Sequence, residues 1–193
     1  MKNHALIKLV LSFLTLIALR VFVFSQDLKM LDKDNGYRIF KIGLTFDKFK
    51  DSLQPLNLNN PTTTGYKFVG SDTSLQNIAG IRPFVIHILF DFSNNLVSST
   101  AYIYTANNGR NFEKRTEKIF ETLFIYYLDR YGKDYTKYSL KEDVMISGGI
   151  RYVWETEKVT FTLQMYTGKN MEWRTISIDY TKTGFFEKDG YNH

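Results

Sequence analysis

The stretch "IRPFVIHILFDFSNNLVSSTAYIY", Ile81–Tyr104, carries the pattern on which the fold turns. Phe84, Ile86, Ile88, Phe90 and Phe92 stand at every second position, with Val85, His87, Leu89 and Asp91 between them. Strand side chains alternate between two faces, so this period sends one apolar row toward a core. Ser93-Asn94-Asn95 is a turn signal, and 96–104 returns as a second strand. The reading is an antiparallel hairpin. Pro83 lacks a donor and suits the start of an edge strand.

The period then changes. In "NFEKRTEKIFETLFIYYLDRYG" (111–132), Phe112, Ile119, Phe120, Leu123, Phe124, Tyr127 and Tyr131 recur at three- and four-residue steps. This is one stripe of a long amphipathic helix, with Asn111 as start and Gly132 as stop. Glu113, Lys114, Glu117, Lys118 and Glu121 form its charged face. Three more strands follow at 150–156, 158–166 and 172–180, after a connector at 133–149.

Upstream, Tyr37 to Ile42 alternates as a short strand and Gly43 breaks it. Thr45 then caps a short helix with Phe46, Phe49 and Leu53 at helical spacing, closed by Pro55. Residues 26–35 form a loose polar start, 66–70 a short strand and 71–80 a loop. Each half thus runs helix, then about three antiparallel strands, without visible repetition of sequence. Apolar inner faces beside polar outer ones predict an α+β fold: an antiparallel sheet with a short N-terminal helix and the long helix packed on one face.

The first 25 residues read as a secretory signal peptide: Lys2 and Lys8, an apolar run over Leu9–Leu19, and a small residue, Ser25, before Gln26. Retention as an anchor is the alternative, against which Arg20 and the short run weigh. Residues 26–193 then form one domain, periplasmic or extracellular, which touches a membrane only through an uncleaved leader. Of 25 basic and 20 acidic residues, three basic ones lie in the leader, so the body is nearly neutral. It has no electrostatic footprint for nucleic acid. With no cysteine, stability rests on the core rather than on disulfides.

The segment "IFKIGLTFDKFKDSL" (39–53), a strand, Lys41-x-Gly43-x-Thr45 and a short helix, is similar to the opening of small bacterial envelope proteins. These include the SmpA/OmlA outer-membrane-assembly family and β-lactamase-inhibitor-protein-like domains. The resemblance implies an antiparallel sheet with N-terminal helices and a role in binding partner proteins. The anchoring cysteine of the lipoprotein members is missing, and no functional residue is carried over.

Sites of chemistry are scarce in the sequence. The body holds two histidines, His87 and His193, and no Gly-x-Ser-x-Gly, phosphate loop or dinucleotide fingerprint. His87 reads as a structural histidine, with Asp91 on the same face. Glu155, Glu157, Glu172 and Asp179 are the carboxylates from which a hydrolytic pair would be drawn. No catalytic residue, metal ligand or cofactor is assigned. Among the many aromatics, Tyr135 and Tyr138 stand in a polar connector and are the candidate binding residues, since tyrosine joins apolar area to a polar tip. The expected function is non-catalytic binding of an envelope protein or glycan. The alternatives are a secreted hydrolase acting on a glycan or cell-wall polymer, and a structural envelope protein.

Overall fold

The computed structural model describes residues 28–57, 62–71, 77–106, 111–143, 145–169 and 173–185. The leader, Glu172 and the tail beyond 185 lie outside them. Helix α1 covers 28–34. A small hairpin follows, β1 (Gly36–Tyr37) and β2 (Phe40–Lys41). Then come β3 (Leu53–Leu56), β4 (Thr63–Phe68), β5 (Val85–Asp91), β6 (Leu96–Ala106), α2 (Phe112–Tyr131), β7 (Thr136–Leu140), β8 (Ile146–Glu155), β9 (Val159–Gly168) and β10 (Trp173–Lys182).

The architecture is α+β: an eight-stranded antiparallel sheet, ordered β3-β4-β5-β6-β10-β9-β8-β7, with the helices on one face. Each half is a four-strand meander after a helix, and the last strands, β6 and β10, form the seam. They pair from Trp173↔Ala106 to Thr181↔Ser98. The repeated plan therefore has four strands per half rather than three. The added strand in the first half is β3 and in the second β7, which are the two sheet edges. Both are short; β3 contains Pro55 and β7 carries Lys137, devices that discourage edge-to-edge association.

The core lies between the sheet and the helices. Ile86, Ile88 and Phe90 of β5, Ala101 and Ile103 of β6, Ile176, Ile178 and Tyr180 of β10, and Phe161 and Leu163 of β9 are all buried. Phe120, Leu123, Tyr127 and Tyr131 of α2 meet them from above. The expected stripe of α2 is thus the buried one. Its charged face is not uniform, because Glu113 and Glu117 reach back to Arg174, whose side chain is only 9% exposed.

Three local expectations change. The supposed helix at 45–54 is a pair of 3₁₀ turns, Phe46–Lys48 and Lys50–Ser52, and Thr45 makes no side-chain cap bond. A 3₁₀ turn also stacks residues i and i+3, so Phe46 and Phe49 share a face as they would on an α-helix. Leu53 is drawn into β3 by pairing with Phe68. Second, the short N-terminal helix is α1, in the segment expected to be loose; Leu31 buries and Asn35, at φ +44°, ends it. Third, Phe84 and Phe92 fall just outside β5 and are 78% and 76% exposed. The alternating row keeps only its three central members in the core.

Candidate functional site

The face of the sheet opposite the helices is built from the outward positions of the central strands. Cross-strand pairing brings Arg151, Gln164 and Ser177 side by side on β8, β9 and β10. Arg151 Nε donates to Gln164 Oε1 at 2.8 Å, and Gln164 Nε2 donates to Ser177 Oγ at 2.9 Å. Ser177 Oγ in turn donates to Asp179 Oδ2 at 2.7 Å. Thr100, paired with Asp179 from β6, bonds the same carboxylate. The chain has a direction, from a guanidinium to a carboxylate, and Ser177 within it is fully buried.

Burial pushes the Asp179 carboxyl above its ordinary range, and the bonds from Thr100 and Ser177 and the charge of Arg151 only partly oppose this. The phenols of Tyr102 and Tyr166 are raised by their own burial and by the charge of Asp179. His87 lies edge-on to Tyr102, with ring centroids 5.0 Å apart, and is held below its usual pKa by burial and by Lys67. Asp91 does not serve His87. Its Oδ1 accepts the backbone N–H groups of Ser93 and Asn95, both at 2.9 Å, and so builds the turn. Among the described residues no three His, Asp or Glu side chains gather as a metal site.

Beside this network, four aromatic rings form a row across three neighbouring strands, β6, β10 and β9, and the residue just before β5. Phe84 lies 6.5 Å from Tyr104, Tyr104 lies 6.4 Å from Trp173, and Trp173 lies 5.8 Å from Tyr166. Glycine makes the row possible at one point: a Cβ at Gly168 would sit 2.2 Å from the Trp173 indole. Phe84 and Tyr104 are exposed.

The structure separates the two tyrosines singled out by the sequence. Tyr138 sits on the edge strand β7, opposite Arg151, and is half exposed on the same open face. Tyr135 packs on the helix side against Phe124, Tyr152 and Trp154, with centroids 5.6, 5.2 and 5.1 Å away. It is a member of the core's margin rather than of the open surface.

A second polar cluster closes the opposite layer. Arg130 grips both oxygens of Asp34 through Nε and Nη2, and Tyr131 Oη donates to Asp34 Oδ2 at 2.7 Å. Tyr131 and Tyr180 share a further hydrogen bond at 2.7 Å. Burial would raise the Asp34 carboxyl, but the bonds from Arg130 and Tyr131 and the charges of Arg130 and Lys41 outweigh it and hold the group below its ordinary 3.8.

The two aspartates therefore act on stability with opposite sign. Asp34, with a lowered folded pKa, stabilises above its ordinary value, and that contribution is lost as pH falls through the folded value. Asp179, with a raised pKa, favours folding while protonated and loses that contribution as pH rises through its folded value. Asp34→Asn is expected to cost about 2 kcal/mol at neutral pH, less than a fully buried pair because Arg130 is over a third exposed. The loss shrinks in acid below Asp34's ordinary range. Asp179→Asn is expected to be neutral or stabilising at neutral pH, an advantage that vanishes in acid. Urea midpoints of both variants at neutral and acid pH check this; parallel pH trends would contradict it.

Compared with protein-family models, with curated proteins and with solved structures, the chain matches none of them.

Proposed function

We propose that the protein is a non-catalytic binding protein of the bacterial envelope, exported by its leader, and that the open face of the sheet recognises another protein. The observation that carries this reading is the row Phe84–Tyr104–Trp173–Tyr166 beside the Arg151–Asp179 network. Tyrosine and tryptophan bring large rigid area at small entropic cost and concentrate binding energy at protein interfaces. The pre-bonded polar chain next to them is fixed before a partner arrives, which lowers the ordering cost of association. The resemblance of residues 40–53 to partner-binding envelope proteins points the same way.

The test is capture from envelope extract. Tyr104→Ala and Trp173→Ala are each expected to weaken capture of a protein partner by about tenfold or more, the effect of losing a central aromatic anchor. Glu155→Ala, at the far end of β8, should leave it unchanged. Retained capture by both aromatic variants would refute the assignment of this face. Capture of a glycan without cleavage would keep the protein non-catalytic with a glycan as its partner; cleavage would favour the hydrolase reading, which needs a second carboxylate within reach of Asp179.

A further inference from the structure

On the helix side, a cavity of about 380 Å³ opens between the β1–β2 hairpin, the end of α2 and Tyr180. It falls in the size range of small-molecule sites. Its described lining includes three cations, Arg38, Lys41 and Arg130, against one carboxylate, Asp34. The rest is largely apolar or aromatic, including Ile39, Ile78 and Tyr126.

The cations are not equally committed. Arg130 is clamped on Asp34 by two bonds. Lys41 donates to the Asp34 backbone carbonyl. Arg38 is exposed and donates through Nη2 to the Asn77 carbonyl, which engages only part of what a guanidinium can offer. The single carboxylate cannot balance all three. Burial lowers the pKa of Lys41, and the neighbouring Arg130 and Arg38 lower it further against the pull of Asp34.

The backbone adds a second observation. Arg38 is the first residue of the two-residue turn between β1 and β2 and sits at φ +55°. A hairpin turn with positive φ at that position favours glycine, and a long side chain there is strained. The hairpin itself is demanding, since a Cβ on Gly36 would meet the Phe40 carbonyl at 2.1 Å. An arginine in this place costs stability relative to glycine, and strain of this kind concentrates where a ligand is held.

We propose that this cavity binds a small organic anion, a carboxylate or phosphate monoester, with its acid group on Arg38 and Lys41 and its apolar body against Ile39, Ile78 and Tyr126. The acid group supplies the negative charge that Asp34 alone does not. The rings and the two isoleucines select an anion with an apolar part over a bare inorganic one. This site lies in the helical layer and is independent of the open sheet face.

Titration calorimetry of the full chain at low salt, with phenyl phosphate, benzoate and inorganic phosphate as probes, tests the proposal. Phenyl phosphate or benzoate is expected to bind with a dissociation constant below about 1 mM, and inorganic phosphate more weakly. Whichever organic probe binds identifies the acid group. Arg38→Gly should weaken that binding by about tenfold or more while leaving the thermal midpoint unchanged or higher, because it removes the charge and relaxes the turn. Arg38→Asn, which also tolerates positive φ, provides a second folded variant. Met145→Ala, at an exposed position outside the cavity lining, should bind as wild type does. The proposal is overturned if neither organic probe binds, if inorganic phosphate binds as tightly, or if both Arg38 variants keep wild-type affinity. A lowered midpoint with unchanged affinity would make Arg38 a structural tie to Asn77.

Discussion

Trp154→Ala is expected to cost about 3–5 kcal/mol of stability, the upper range for truncating a core aromatic. Trp154 is fully buried on β8. Its ring contacts Tyr135 at 5.1 Å, Phe161 at 5.5 Å, Phe124 at 6.3 Å and Tyr131 at 6.5 Å. These rings come from the connector, β9 and α2, so one side chain fastens three segments. Its Nε1–H donates to the Gly132 carbonyl at 2.9 Å, which satisfies the end of α2. Alanine would leave both a cavity and a buried carbonyl without its donor. Trp154→Phe keeps most of the volume and loses the hydrogen bond, so it should cost about 1–2 kcal/mol. Urea unfolding of the two variants measures the difference. A loss below about 1 kcal/mol for alanine would mean that this ring cluster does not anchor α2.

The parts of this architecture legible in the sequence are those with a long period. The apolar stripe of α2 spans five turns, and Ile86, Ile88 and Phe90 alternate without a break, so local pattern and tertiary burial agree. Short elements escape this logic. Residues 28–34 make under two turns, too few for a helical period to declare itself, and such a helix stands through its tertiary ties: Leu31 is buried beneath it, Leu28 and Met30 pack against the core, and Arg130 and Tyr131 hold Asp34. The edge strand β7 is exposed at four of its five residues and has no apolar row to reveal it. In the hairpin β1–β2, two strands of two residues each read as one continuous strand, because the positive φ of Arg38 has no glycine to announce it.

The candidate sites were less legible, for a different reason. The outward Thr160, Thr162 and Gln164 of β9 are visible as a polar row, but a row of this kind is what any solvated strand shows. Its meaning comes from pairing: Gln164 stands between Arg151 and Ser177 only because of the register on both sides. The aromatic row likewise draws one ring from each of four places, and no segment contains two of its neighbours in sequence. Tyr135 and Tyr138 shared a polar connector, yet the strand they enter turns Tyr138 to the open face while Tyr135, just before it, joins the core margin. Arg38, Lys41 and Arg130 line one cavity with Asp34, and Arg130 reaches Asp34 across 96 residues of chain, a distance that composition cannot span.

The second large effect separates a core helix from one that seeks a partner. Leu123 is fully buried at the centre of α2, and Leu123→Ala is expected to cost about 2–5 kcal/mol. Ile125, two residues on, is 51% exposed, and Ile125→Ala should change stability by no more than about 0.5 kcal/mol. Glu117 lies between these limits. As a member of the charged face it would be neutral, but its Oε1 accepts from Arg174 Nη1 at 3.2 Å, and Arg174 is buried over the Phe112 ring. Glu117→Ala therefore weakens the neutralisation of a buried guanidinium. Glu113 remains, with its carboxylate 3.6 Å from Nη2, so the expected loss is about 0.5–1 kcal/mol rather than that of a stranded charge. The double variant Glu113→Ala/Glu117→Ala should exceed the sum of the single losses, because only then does Arg174 lose both carboxylates. Denaturant midpoints ordered Leu123, Glu117, Ile125 identify α2 as part of the core. Equal midpoints for Leu123→Ala and wild type would instead release the helix from the sheet and move the binding surface onto residues 112–131.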